Sequence, residues 1–101
     1  MANTCTNILF IAGIKDKKER ESICGFMRGR FNVFYEDEGE NCIEMGFISY
    51  TGFPEDEMKE LTKKLETPEL TAGLISYDFS VNFVAYLSYK NGVWENRIKN
   101  E

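Results

Sequence analysis

The sequence contains no histidine, two prolines, three cysteines and a single tryptophan in 101 residues. Without histidine, the commonest general base of enzymes is missing. The cysteines, Cys5, Cys24 and Cys42, are odd in number and widely spaced, and no C-x-x-C pair occurs. That pattern argues against a zinc site and against a secreted disulfide scaffold. It fits free thiols buried in a protein of the reducing cytoplasm. Long apolar runs are also missing. ILFIAGI covers only seven residues, far below the ~20 that span a bilayer, so it is expected to be a buried strand and not a signal or membrane segment. Basic residues are outnumbered, 12 against 17 acidic, for a net charge of -5. That balance argues against wrapping a long duplex, because phosphate binding rests on clustered Lys and Arg. It suits a soluble acidic surface, or one that docks on a basic partner. No P-loop, dinucleotide fingerprint or nucleophile motif occurs. The carboxylates Glu36, Asp37, Glu38, Glu40 and Glu44 cluster without EF-hand spacing, so they read as a solvated charged turn. The sequence therefore assigns no catalytic residue, no cofactor and no metal, and the chain reads as non-enzymatic.

What is present is the composition of a packed chain, 43% hydrophobic with eight Phe and five Tyr. One domain spanning 1–101 is expected. Ile8 to Ala12 reads as a first strand closed by Gly13. KDKKERESICGFMRGR reads as a helix capped by Asp16 with Glu19 three residues on, burying Ile23, Cys24 and Met27 and stopping at Gly29. FNVFYEDEGENCIEMGFISY reads as a hairpin, with Phe31, Val33 and Tyr35 alternating on one arm and Cys42 to Tyr50 forming the other. TGFPEDEMKELTKKLETP is the clearest helix. Pro54 suits its first turn, Met58, Leu61 and Leu65 make an apolar stripe, and Glu55–Lys59 and Glu60–Lys64 are i,i+4 pairs. ELTAGLISYD is a further strand. The chain closes on a hairpin turned by Asn91-Gly92, with Trp94, Asn96 and Ile98 expected on one face and Val93, Glu95 and Arg97 on the other. The expected fold is α+β: a ferredoxin-like β-α-β-β-α-β antiparallel sheet with two helices on one face, plus a C-terminal β-hairpin. Asn3 and Asn7 are expected to satisfy turn backbone.

The ends of the chain resemble a known family. Asn3-Thr4-Cys5-Thr6-Asn7 before an apolar strand and Gly13, then YTGFPEDEMKELTKKL, then ELTAGLISYDFSVNFVAYLSYKNGVW with Asn82-Phe83 and Asn91-Gly92, are similar to the YubB-like ferredoxin-like family of plasmid and phage proteins. Thr4 stands where that family carries Trp. The resemblance implies the fold given above and a mobile-element origin; it supplies no catalytic residue. A second resemblance is to RNA-recognition motifs. Leu9 to Ile14 resembles their first-strand signature, and Gly46-Phe47-Ile48-Ser49-Tyr50 the second half of their third-strand signature. It implies that Phe10 and Phe47 stack bases. Met45 stands where a third aromatic is expected, and Ile43 replaces a basic residue.

Two functions follow as expectations. The first is a cytoplasmic binding or interaction domain, an accessory or inhibitor protein acting on a protein partner, with Tyr86, Tyr89 and Trp94 as an aromatic anchor and a homodimer left open. The alternative is single-stranded RNA binding through the open sheet face at Phe10 and Phe47. No membrane association is expected.

Overall fold

The computed structural model describes residues 4–50, 52–65 and 67–100, with side chains through residue 98. The elements are β1 (Cys5–Ala12), α1 (Lys17–Arg30), β2 (Asn32–Glu38), β3 (Cys42–Ser49), α2 (Glu55–Lys63), β4 (Thr71–Asp78), a 3-10 turn (Phe79–Val81), β5 (Phe83–Lys90) and β6 (Val93–Asn100). The strands form one antiparallel six-stranded sheet in the order β2-β3-β1-β4-β5-β6. The α+β class, the two helices and the closing hairpin expected from the sequence are present.

Local chemistry accounts for the boundaries. Asp16 is extended, and its carboxylate accepts the Glu19 N–H at 2.8 Å. Glu19, itself buried, accepts the Lys15 N–H at 3.0 Å and the Thr67 hydroxyl at 2.6 Å, so the start of α1 is tied to the loop before β4. The helix does not stop at Gly29. It runs through Arg30 and ends at Phe31, whose backbone is extended and whose N–H donates to Met27 O at 2.9 Å. The Phe31 ring lies 4.5 Å from that of Phe47. Burial of an aromatic, not a glycine cap, fixes this end. Pro54 is the N-cap of α2 and not part of its first turn. Lys59 pairs with Glu55 at 3.4 Å, as spacing predicts. Glu60 instead reaches across to Arg30 on α1 at 2.6 Å, because a bidentate guanidinium is a better partner than Lys64. Asn91 and Gly92 both take positive φ, 54° and 80°, as the two-residue turn between β5 and β6 requires.

The core lies on one side of the sheet. Leu9 and Ile11 of β1, Ile43, Met45 and Phe47 of β3, and Leu74 of β4 cluster with Ile23 and Met27 of α1 and Met58 and Leu61 of α2. Both helices thus cover the same face. Asn7 sits on that face too, fully buried. Its amide donates to Cys5 O at 3.2 Å, Phe47 O at 3.3 Å and Ser49 Oγ at 3.0 Å, and its carbonyl accepts the Ser76 hydroxyl. The Ser49 hydroxyl in turn donates to Gly52 O at 2.6 Å. Asn7 is therefore a cross-strand pin inside β1 and not a turn residue, because the strand begins at Cys5, ahead of the apolar run. Asn3 lies outside the described residues.

Candidate functional site

Among the described residues no element covers the face away from the helices, and its central row is apolar. Register places Tyr35, Gly46, Ile8, Ile75, Tyr86 and Ile98 in one row across all six strands. Beside it run Ile48, Thr6, Tyr77 and Val84 on the four central strands of a second row. On the other side lie Asp37, Glu44, Phe10, Gly73, Ser88 and Glu95. Phe10 is 44% exposed, Phe34 56%, Ile75 45% and Ile98 57%. Scattered exposed apolar side chains are ordinary, but a contiguous set on one rigid face marks a binding surface. Two glycines flatten it. A side chain at Gly46 would meet the Phe34 ring at 2.8 Å, and one at Gly73 would meet Tyr86 at 3.4 Å, so each aromatic lies across the hollow that a glycine leaves.

Two irregularities build this face. A bulge between Val33 and Tyr35 in β2 changes the phase of the strand, so Val33 pairs with Phe47 on the covered side and Tyr35 with Gly46 on the open side. The expected alternation of Phe31, Val33 and Tyr35 on one face fails for this reason. Phe34, left unpaired, lays its ring over Gly46. A second irregularity, between Tyr86 and Leu87, skips Arg97 on β6. Trp94 and Asn96 pair with Tyr89 and Leu87 on the covered side, while Ile98 pairs with Tyr86 on the open side. The expected set Trp94, Asn96 and Ile98 is therefore split.

The same geometry places each expected site residue. Tyr86 is half-buried on the open face. Tyr89 is buried on the covered face, and the Trp94 ring lies tilted against it with ring centroids 5.1 Å apart. The Trp94 indole N–H donates to Thr62 Oγ1 of α2 at 3.1 Å. Tyr86, Tyr89 and Trp94 are not one exposed patch, and Trp94 extends the core under α2. Phe10 and Phe47 are not one platform either. Phe10 is on the open face opposite Glu44 and Gly73, whereas Phe47 is fully buried on the other side against Phe31. Residues absent from the expectation, Ile8, Tyr35, Ile75 and Ile98, carry the surface instead. The signal for them was the apolar character of both alternating sets in β1 and β4, which a strand with one wet face does not show.

Charge on the open face is uneven. Asp37 and Glu44 stand directly opposite each other on β2 and β3. Burial of its hydroxyl, followed by these two carboxylates, pushes the Tyr35 phenol above its ordinary range. At the far edge Arg97 donates to Ser88 Oγ at 2.8 Å and to Glu95 at 3.2 Å. Glu36 and Glu38 of the first hairpin point to α1. Glu36 accepts a bidentate pair from Arg28, at 2.9 and 2.5 Å, which holds its carboxyl below the usual range. Glu38 takes Arg20 at 3.1 Å. Cys24 lies with these two carboxylates within 4.8 Å. Burial, then Glu36, raises its thiol, and both acids are already engaged by arginine, so the trio reads as an ion-pair network. Burial likewise raises Cys5, with Asp78 adding to it, and an undissociated thiol is a poor nucleophile. Cys5, Cys24 and Cys42 are free. Among the described residues, no helix is long and apolar enough to cross a membrane.

No protein-family model, curated protein or solved structure matches this chain.

Proposed function

We propose that this chain is a small, non-enzymatic binding domain that engages a protein through the open face of its sheet. The observation that carries this reading is the apolar row Tyr35, Gly46, Ile8, Ile75, Tyr86 and Ile98, which crosses the whole sheet with no helix over it. The sub-order β2-β3-β1-β4, with one helix between β1 and β2 and the other between β3 and β4, supports a ferredoxin-like arrangement in which β5 and β6 widen the sheet. The resemblance of both ends to the YubB-like family supports a plasmid or phage accessory role, inhibition of a host protein included. Three free thiols support a cytoplasmic setting. Single-stranded RNA is the competitor for the same face, since Phe10, Tyr35 and Tyr86 offer rings there. Asp37 and Glu44 beside those rings repel phosphate, which favours protein.

The test places a photo-crosslinking phenylalanine at position 75 on the open face, and separately at Glu21 on the exposed side of α1, in the full chain expressed in its host. Protein adducts from position 75 and none from position 21 are expected. Adducts from position 21 alone, or RNA alone at position 75, contradict the proposal.

A further inference from the structure

We propose that the turn between β5 and β6 is a covalent modification site, at which Asn91 deamidates through a cyclic imide closed on Gly92. Asparagine is a thermolabile residue, because its side-chain amide lies within reach of the next backbone nitrogen. Attack is easiest where that nitrogen belongs to glycine, which has no Cβ to crowd the closing ring. Asn91-Gly92 is the sole Asn-Gly pair in the sequence.

The reacting groups are free. Asn91 and Gly92 are both exposed. A tight turn engages the N–H of its fourth residue, not that of its third, and Gly92 is the third. Among the described residues, no turn or loop hydrogen bond uses the Gly92 N–H. The side-chain bonds of this part of the sheet come from Trp94 and Arg97, none from Asn91. A methyl group on Gly92 would meet nothing within 4 Å. The turn borders an open hollow of about 360 Å³ toward Leu65, Thr67 and Pro68, so water reaches it. Ring closure requires Asn91 to leave its positive φ. Only β5 holds β6 in the sheet, on one side, and the tip of the hairpin is free to open that far.

The chemistry balances. The Gly92 nitrogen bonds to Asn91 Cγ and gives up its proton, the Cγ–Nδ2 bond breaks, and ammonia leaves. Water then opens the imide at either carbonyl. Opening at Cγ gives an aspartyl residue on the ordinary backbone. Opening at the backbone carbonyl leaves the chain running through Cγ, one methylene longer, as an isoaspartyl linkage. Either product adds one negative charge to the net -5 of the chain. Asp-Gly suits the same turn, so the aspartyl form keeps the hairpin. The isoaspartyl form lengthens a turn that sets Lys90 against Val93 and Tyr89 against Trp94. Trp94 ties β6 to α2 through Thr62 Oγ1, at 3.1 Å, so this form loosens β6 from the helix layer.

Asn82 is an internal control. It too is exposed, with φ of 56° against 54° for Asn91, but Phe83 follows it in place of glycine. The full chain is aged for days at body temperature in mildly acidic and in alkaline buffer, then digested and read by mass spectrometry, with an isoaspartyl-specific methyltransferase marking that linkage. The fragment holding Asn91 is expected to gain about 1 Da and to accept methyl groups, faster in alkali, where the attacking nitrogen loses its proton more readily. The fragment holding Asn82 should stay unchanged. Asn91→Gly keeps a turn-forming pair and should show no gain. The isolated isoaspartyl form should have a lower urea midpoint and redder Trp94 emission, whereas freshly made Asn91→Asp should match the wild type in both. A fragment around Asn91 that stays intact, or an Asn82 that converts as fast, overturns the site. An isoaspartyl form that unfolds like fresh protein overturns its effect on β6.

Discussion

At the scale of single residues, Asn7 does the most with the least. It lies in the first half of β1, just ahead of the apolar run, and its amide joins β1 to β3 through Phe47 O and Ser49 and to β4 through Ser76. A buried polar group with all its partners in place specifies register, because a slip of the strand leaves every one of them unpaired. Asn7→Leu keeps the volume and strands those partners without hydrogen bonds. It should cost about 3 kcal/mol in urea unfolding, since each orphaned buried group costs about 1–3 kcal/mol. A loss below about 1 kcal/mol contradicts the pinning role. The sequence showed Asn7 but not its duty. An asparagine just before an apolar run reads as a turn residue, and only the pairing with Ser49 and Ser76, 42 and 69 residues away, makes it a core residue. Trp94 misled in the opposite sense. A lone tryptophan after the natural end of a six-element unit reads as an interface anchor, yet α2 offers Thr62 Oγ1 to its N–H and Tyr89 to its ring.

At the scale of elements, sequence periodicity succeeded where strands are regular and failed where they bulge. β1, β3, β4 and β5 alternate without a shift along β1–β3, β1–β4 and β4–β5, and their buried and open sets follow from period two. β2 and β6, the two edges, each carry an irregularity, and each moves its later residues to the opposite face. Bulged edges are a common defence against edge-to-edge pairing. Here they also deliver Phe34, Tyr35 and Ile98 to the open side. Nothing in NVFYEDE or VWENRIKN marks the extra residue, because a bulge is chosen by how the strand must bend against its neighbour. Helices were more legible. The Asp16 cap and the buried faces of α1 and α2 follow from spacing, although their ends shifted by a few residues. Gly25 lies exposed in α1, and a methyl there meets nothing within 4 Å. Gly25→Ala should raise stability by about 0.5–1 kcal/mol, read as a higher urea midpoint with an unchanged slope. A lower midpoint would mean that this stretch of α1 is not regular helix.

At the scale of the whole molecule, charge is partitioned between the layers. The helix layer carries most of the lysines and arginines, and it holds the acids of β2 and α2 through Arg28–Glu36 and Arg30–Glu60, at 2.5 and 2.6 Å. Hydrogen bonding from arginine, the larger cause in each case, lowers both carboxyls below the ordinary value of 4.5. A folded-state value below the unfolded one gives stability that is complete above the ordinary range and lost as pH falls through the folded value. The double variant Glu36→Gln/Glu60→Gln should therefore unfold earlier than wild type at neutral pH, and the gap should begin to narrow only as pH falls below about 4.5 and close below the lowered folded values. A gap that persists into acid would assign the difference to packing instead. The pairs are exposed, so the gap is small.

The division of the sheet into a covered and an open face underlies the proposed function. Leu74 and Ile75 are consecutive in β4 and point to opposite faces, one fully buried beneath the helices and the other 45% exposed. The decisive measurement is urea unfolding of Leu74→Ala beside Ile75→Ala, followed by Trp94 fluorescence at submicromolar concentration, where self-association contributes least. Leu74→Ala should cost about 2–5 kcal/mol, the range for a buried leucine, and Ile75→Ala less than about 1 kcal/mol. Equal losses would mean that the second face is covered within the isolated chain, and no binding surface would be left there.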